Sequence, residues 1–221
     1  MIFFSKNPEI QKIFKNFQKL ENRESADSMK RLGLNYEQNH GVMIADLLLL
    51  AKDYQGRGDI AKILRTYNVR ESRILAEMID NHNEMSANEL DEVVNTIDNF
   101  ELVEQFAVNM KKDRDDLTEQ AIRWAGGERL YSAQVGYKLL ALSAQKLTEQ
   151  EVKSLKETII NSPFIENMQL QKHMGACLRK VASVSPSYKK KIQDFILVMK
   201  KDQSKFAMVI EEIEPFMAYI A

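Results

Sequence analysis

Apolar residues recur along this chain at spacings of three and four, from one end to the other. Ile10, Ile13, Phe14, Phe17 and Leu20 form one such stripe, the mark of a helix with one buried face. Val42 to Tyr54 reads as the next long helix, closed by Gly56 and Gly58, and Ile60 to Tyr67 as a short one. Val69 to Asp80 turns Ile74, Leu75, Met78 and Ile79 inward. Ser86 with Glu89, and Thr148 with Glu151, are capping boxes, in which a hydroxyl and a carboxylate satisfy the free amides of a helix start. A helix opens near Asn99, and another opens near Thr118 and stops at Gly126-Gly127. Tyr131 to Gln145 and Thr148 to Ile160 follow, and Ser162-Pro163 breaks the chain. Asn167 to Ser183, Pro186 to Lys200 and Lys205 to Phe216 complete the helices.

Turn formers are scarce, with 8 Gly and 4 Pro in 221 residues, and no Asn-Gly or Asp-Gly turn lies between alternating runs, so strands are not expected. The first helices of successive pairs begin near Val69, Asn99, Tyr131 and Asn167, a spacing of roughly thirty to thirty-six residues, in the range of helical repeats. One pair cannot bury its own apolar face, so neighbouring pairs must stack. The expected fold is all-α, an α-solenoid of stacked HEAT-like antiparallel helix pairs. One domain over residues 1–221 is expected, with 1–38 as an N-terminal helical cap.

Several classes of function are disfavoured. Net charge is −1 and the pI about 6.4, so global charge does not point to a polyanion partner. Cys177 is the one cysteine, so no internal disulfide can form, and a reducing, cytoplasmic location is expected. The stretch MIFFSKNPEI is too short in apolar residues for a signal peptide. Leu47 to Leu50 is an apolar run bounded by Asp46 and Lys52, too short to span a membrane. Gly126-Gly127 lacks the Gly-Lys-Ser of a phosphate loop. His40, His82 and His173 are far apart and belong to no metal-ligand pattern, so no metal and no cofactor is expected. A monomer is expected.

Four segments, in order, carry a likeness: RESRILAEMIDN (Arg70–Asn81), IDNFELVEQFAVN ending at Asn109, AQVGYKLLALSAQK (Ala133–Lys146) and QLQKHMGACLRKVASVSP (Gln169–Pro186). Together with NHGVMIADLLLLAKDY (Asn39–Tyr54), they resemble the AlkD-like DNA alkylation repair family from about Asn39 to the C-terminus. The resemblance implies a solenoid of HEAT-like helix pairs. It also implies a hydrolase that releases N3- or N7-alkylated purines from double-stranded DNA by cleaving the glycosidic bond. The lesion is cationic and the departing base leaves an oxocarbenium-like sugar. Such chemistry calls for a carboxylate beside the sugar, aromatic faces against the nucleotide and basic side chains on the flanking phosphates.

Active members of that family place an aspartate four residues after a tryptophan at a helix start. Here the tryptophan falls on Phe100 and the aspartate on Glu104. The resemblance therefore makes Glu104 the stabiliser of the sugar cation and Phe100 the packing partner of the nucleotide. The family's second tryptophan, in a Gly-Trp step, falls on Ala176. One arginine falls on Gln134 and another survives as Arg179. Losing a stacking aromatic forfeits about 1–3 kcal/mol per base, and displacing a carboxylate by about an ångström costs about a hundredfold in rate. Weak or lost glycosylase activity is therefore one expectation. Tyr131, Tyr137 and Trp124 are candidate replacement aromatics. By residue type alone, Phe100 also suits a helix staple, and Glu101 and Glu104 suit a first turn that complements the helix dipole.

Charge is unevenly distributed. Residues 70–119 hold 14 acidic and 5 basic side chains, and residues 168–205 hold 9 basic and 2 acidic. The basic segment supplies Arg179, Lys180, Lys189, Lys190 and Lys191 as candidate DNA contacts, with Gln134 and Tyr137 beside the cleft. Three functions stay open: an alkylpurine glycosylase, a DNA-binding protein without base excision, and a protein-binding scaffold.

Overall fold

The structure is a computed structural model that describes residues 6–114 and 117–219, with the backbone alone at 112, 113 and 219. Its regular structure is helical, as the periodicity predicts, apart from one isolated parallel bridge between Gln38 and Val69. The chain's contacts divide into two compact units, Met1–Met85 and Ser86–Ala221.

The first unit holds α1 (Pro8–Lys19), α2 (Arg23–Arg31), α3 (Ile44–Ala51), α4 (Gly58–Arg65) and α5 (Arg70–Ile79). The stripe read on α1 is its buried face: Ile10, Ile13, Phe14 and Phe17 are all inside, while Leu20 lies just past the helix and is exposed. Helix α2 buries none of its residues. Its only local signal is Asn22, whose side chain accepts the Ser25 N–H at 3.0 Å, so apolar periodicity had nothing to report there.

Helix α5 is the opposite case, with all ten residues buried, including Arg70, Glu71, Arg73 and Glu77. Its carboxylates are held by partners. Glu71 accepts the His40 and Val42 amides at 3.0 and 3.2 Å, and the Arg70 guanidinium lies 3.1 Å from it. Glu77 takes two bonds from Arg65, which also binds Asp80. Burial by itself would raise the Glu77 carboxyl, but the Arg65 charge, the Arg65 hydrogen bonds and His82, 3.7 Å away, hold it down to about 2.

The second unit holds α6 (Ala87–Thr96), α7 (Phe100–Asp113), α8 (Thr118–Ala125), α9 (Leu130–Leu142), α10 (Glu149–Ile160), α11 (Met168–Ala182), α12 (Pro186–Met199) and α13 (Ala207–Tyr219). Both capping boxes are present, and Asn99, Asn167 and Ser185 cap α7, α11 and α12. Helices α7, α9, α11 and α13 pack side by side in that order, and α8, α10 and α12 form a second layer. Val103, Phe106, Met110, Val135, Leu139, Met174, Leu178, Val209 and Ile213 fill the core between them, all without exposed surface. Burying each such side chain is worth about 1.5–3 kcal/mol.

Two glycines set how closely these helices approach. A Cβ on Gly136 of α9 would lie 2.4 Å from the Ala125 nitrogen and 2.5 Å from the Ala121 carbonyl oxygen of α8. A Cβ on Gly175 of α11 would lie 2.5 Å from the Glu212 Cβ and 3.1 Å from the Val209 carbonyl oxygen of α13. At Gly136 the obstacle is backbone, which cannot swing aside. Gly136→Ala is therefore expected to destabilise the protein by about 1–3 kcal/mol, as overpacking does, read as a lower midpoint in urea. An unchanged midpoint would mean that α8 and α9 separate without cost.

Candidate functional site

Helix α7 starts where Asn99 accepts the Leu102 N–H at 3.1 Å. Leu102, Val103, Phe106, Ala107 and Met110 go into the core. That leaves Phe100, Glu104 and Val108, spaced by four, on the opposite ridge, where Phe100 and Val108 are exposed and Glu104 is half-buried. Glu104 reaches across to the two neighbouring helices. The Lys138 ammonium of α9 lies 2.5 Å from one of its oxygens, and His173 Nε2 of α11 lies 3.9 Å from the other. His173 Nδ1 is 2.9 Å from the Gln169 carbonyl oxygen, which can only accept, so Nδ1 donates there and Nε2 faces the carboxylate.

These side chains line one cavity of about 390 Å³ together with Tyr137, Ala141 and Leu142 of α9, Gln169, Lys172, Ala176, Arg179 and Lys180 of α11, and Glu212 of α13. Four cations, Lys138, Lys172, Arg179 and Lys180, stand against two carboxylates, Glu104 and Glu212. Each carboxylate is already paired. Glu104 binds Lys138, and Glu212 lies 3.4 Å from the Arg179 guanidinium. Among the described residues no ion pair involves Lys172 or Lys180, both exposed on α11. The cavity is therefore net positive.

The residues expected at the site are only partly brought together. Glu104, Tyr137, Arg179, Lys180 and Ala176 share the cavity, and Phe100 lies on the same ridge as Glu104 but is not among its lining residues. Tyr137 has no exposed surface and its hydroxyl has no hydrogen-bond partner. Burial, with Cys177 beside it, pushes its phenol well up. It is among the cavity's lining residues but exposes no aromatic face. Trp124 is buried on α8, where it donates its indole N–H to Asp91 at 2.7 Å and meets Phe106 edge-on. Neither it nor Tyr131 lines the cavity.

Gln134 is 1% exposed on α9, with its side-chain oxygen unpartnered, and does not line the cavity. Lys189, Lys190 and Lys191 sit on α12 and do not line this cavity. Lys191 is bonded to Glu149 at 2.9 Å.

The acidic segment also changes meaning. Glu71, Glu77 and Asp80 are buried and paired with arginines. Asp91 is bound by Arg123 and Trp124, which hold its carboxyl down against the effect of burial. Three of the fourteen carboxylates counted in that segment are thus buried against arginines.

Lys138, Lys172, His173 and Glu212 are the site residues that sequence reading missed. Lys172, Ala176 and Lys180 do recur at spacings of four, a helical stripe that could have been read. Lys138 had no local signal. Among the described residues no group of His, Cys, Asp and Glu is arranged to hold a metal ion, and no helix is long and apolar enough to cross a membrane.

This helix arrangement is that of the HEAT-like repeat proteins. A solved structure from "a new family of proteins related to the HEAT-like repeat DNA glycosylases with affinity for branched DNA structures" superposes with a TM-score of 0.68, at 14% identity, over 84% of this chain and 81% of that one. The family model described as DNA alkylation repair enzyme matches residues 13–209. The chain belongs to that family. No curated protein matches it significantly.

The Glu104–Lys138 pair is partly wet, with side-chain exposures of 43% and 27%. A double-mutant cycle with Glu104→Ala and Lys138→Ala is expected to give a coupling below about 1 kcal/mol in denaturant unfolding, as for exposed pairs. A coupling above about 2 kcal/mol would make the pair a structural anchor rather than a feature of the cavity.

Proposed function

We propose that this member of the family binds the phosphate backbone of DNA through the α11 face of the cavity and does not excise alkylated bases. The observation that carries this reading is the Lys138 ammonium 2.5 Å from Glu104 in a cavity with more cations than carboxylates. A glycosylase for cationic purines needs its carboxylate free to face the developing sugar cation. Here the carboxylate is already met by an ammonium.

A cationic base entering the cavity would also approach Lys172 and Lys180. At about 5 Å each unit charge repels it by roughly 1 to 3 kcal/mol, depending on how wet the site is. A phosphate gains what the cationic base loses. The aromatic walls point the same way. Ala176 stands where the resembling enzymes carry a tryptophan, and Phe100, on the exposed ridge of α7, does not line the cavity. The affinity of the structural neighbour's family for branched DNA fits a fold of this kind serving binding rather than excision.

Under this reading Arg179, Lys180 and Lys172 contact phosphate, and Glu104 fixes Lys138. The α12 lysines 189–191 offer a further basic surface. No cofactor takes part, and the protein acts as a monomer inside the cell.

The test is release of 7-methylguanine and 3-methyladenine from methylated duplex DNA, with binding of the same duplex followed in parallel. The expected outcome is retention of the duplex with base release no faster than spontaneous depurination, unchanged by Glu104→Gln. Release well above background that Glu104→Gln abolishes would make Glu104 catalytic and overturn the proposal.

A further inference from the structure

The N-terminus of α9 borders a second cavity, of about 250 Å³ and separate from the one above. Helix α9 has Arg129 at its N-cap, no side-chain cap and no acidic residue in its first turn. The first backbone bond of that turn runs from the Ala133 N–H to the Arg129 carbonyl at 2.9 Å. Among the described residues the amides of Leu130, Tyr131 and Ser132 have no protein acceptor. In five other helices of this unit a Ser, Thr or Asn side chain accepts the amide of the third helical residue.

A second observation points to a ligand. Ser132 lines this cavity and is only 6% exposed, yet its Oγ has no hydrogen-bond partner within the protein. A buried hydroxyl is normally paired. Arg129 stands on the same wall. One of its N–H groups is used on the Asn95 carbonyl oxygen at 2.7 Å, and it pairs with no carboxylate among the described residues. Two carboxylates also line the cavity; Asp91 is taken up by both N–H···O contacts of Arg123, by the Trp124 indole and by the Gln120 amide. The other, Glu128, is exposed.

We propose that the start of α9 is a binding site for a phosphate group, held by the Leu130, Tyr131 and Ser132 amides, the Ser132 hydroxyl and the Arg129 guanidinium. Each is a donor, and together they meet several oxygens of one tetrahedral anion. The free amides at a helix start carry partial positive charge that favours such a ligand. Arginine adds a charge-assisted bond, for which its planar fork is suited. The phosphate is either one in a DNA backbone or a free one, and the site does not depend on the DNA-binding role argued for the first cavity.

The experiment is an amide NMR titration of the full chain with inorganic phosphate, against chloride at equal ionic strength, followed by a short duplex and a four-way DNA junction. Phosphate is expected to shift the resonances of residues 130–132 saturably, and chloride is not. Ser132→Ala and Arg129→Gln, tested separately, are each expected to weaken the phosphate isotherm at least fivefold, with the remaining spectrum unchanged. Arg129 is exposed and its one bond among the described residues is to the Asn95 carbonyl, so the unchanged remainder of the spectrum checks that its variant keeps the fold. Shifts of the same amides by either DNA would assign the ligand to the backbone, and shifts by phosphate alone would assign it to free phosphate. Absence of phosphate shifts, or an isotherm unaltered in both variants, would overturn the proposal.

Discussion

Everything at the candidate site depends on one packing rule: each helix of the inner row lies against the helix one repeat further along. The spacing is visible in the polar contacts. Gln171 of α11 donates to the Lys205 carbonyl 34 residues on, and Arg179 of α11 to the Glu212 carbonyl of α13 across 33. Glu104 and Lys138 stand 34 residues apart as well. Gly175 permits this closeness between α11 and α13, because a Cβ there would strike Glu212 and the Val209 carbonyl. Stacking units in this way buries the apolar face that a single pair leaves open.

The same rule decides the electrostatics. Once α7, α9 and α11 lie side by side, the carboxylate on one ridge must meet whatever the next helices present. Here they present an ammonium and an imidazole. A carboxylate between such neighbours is a poor stabiliser of a passing cation. The leftover charge belongs to Lys172 and Lys180, so the cavity has the sign that suits a phosphate. The protein keeps the fold of the DNA alkylation repair family, and under the proposed function its site holds DNA without excising a base.

Much of the fold was legible because helices announce themselves locally. Ser86 with Glu89, Thr148 with Glu151, and Asn99 and Asn167 mark starts that the structure keeps within a residue or two. Helix α2 was not legible, since it buries nothing and so has no stripe. At the site, the position of Glu104 could be read from its distance to Phe100. Its partners could not, because Lys138 and His173 are neighbours only through lateral packing. Gln134 and Lys138 differ by four residues on one helix, yet one is buried and the other reaches the cavity. Which face of α9 turns outward is set by α8 and by the bare backbone contact at Gly136, not by residue type. The acidic run from 70 to 119 is a related case: a count of charges cannot tell a carboxylate in solvent from one locked to a buried arginine.

The most direct test of the central claim, that two unpaired lysines make the cavity a phosphate site, is the salt dependence of duplex binding. The slope of log K against log salt should fall by about 2 in magnitude when Lys172 and Lys180 are both replaced by alanine, since each phosphate contact contributes about 0.9. An unchanged slope would mean that DNA is held elsewhere or not at all, and would contradict the account.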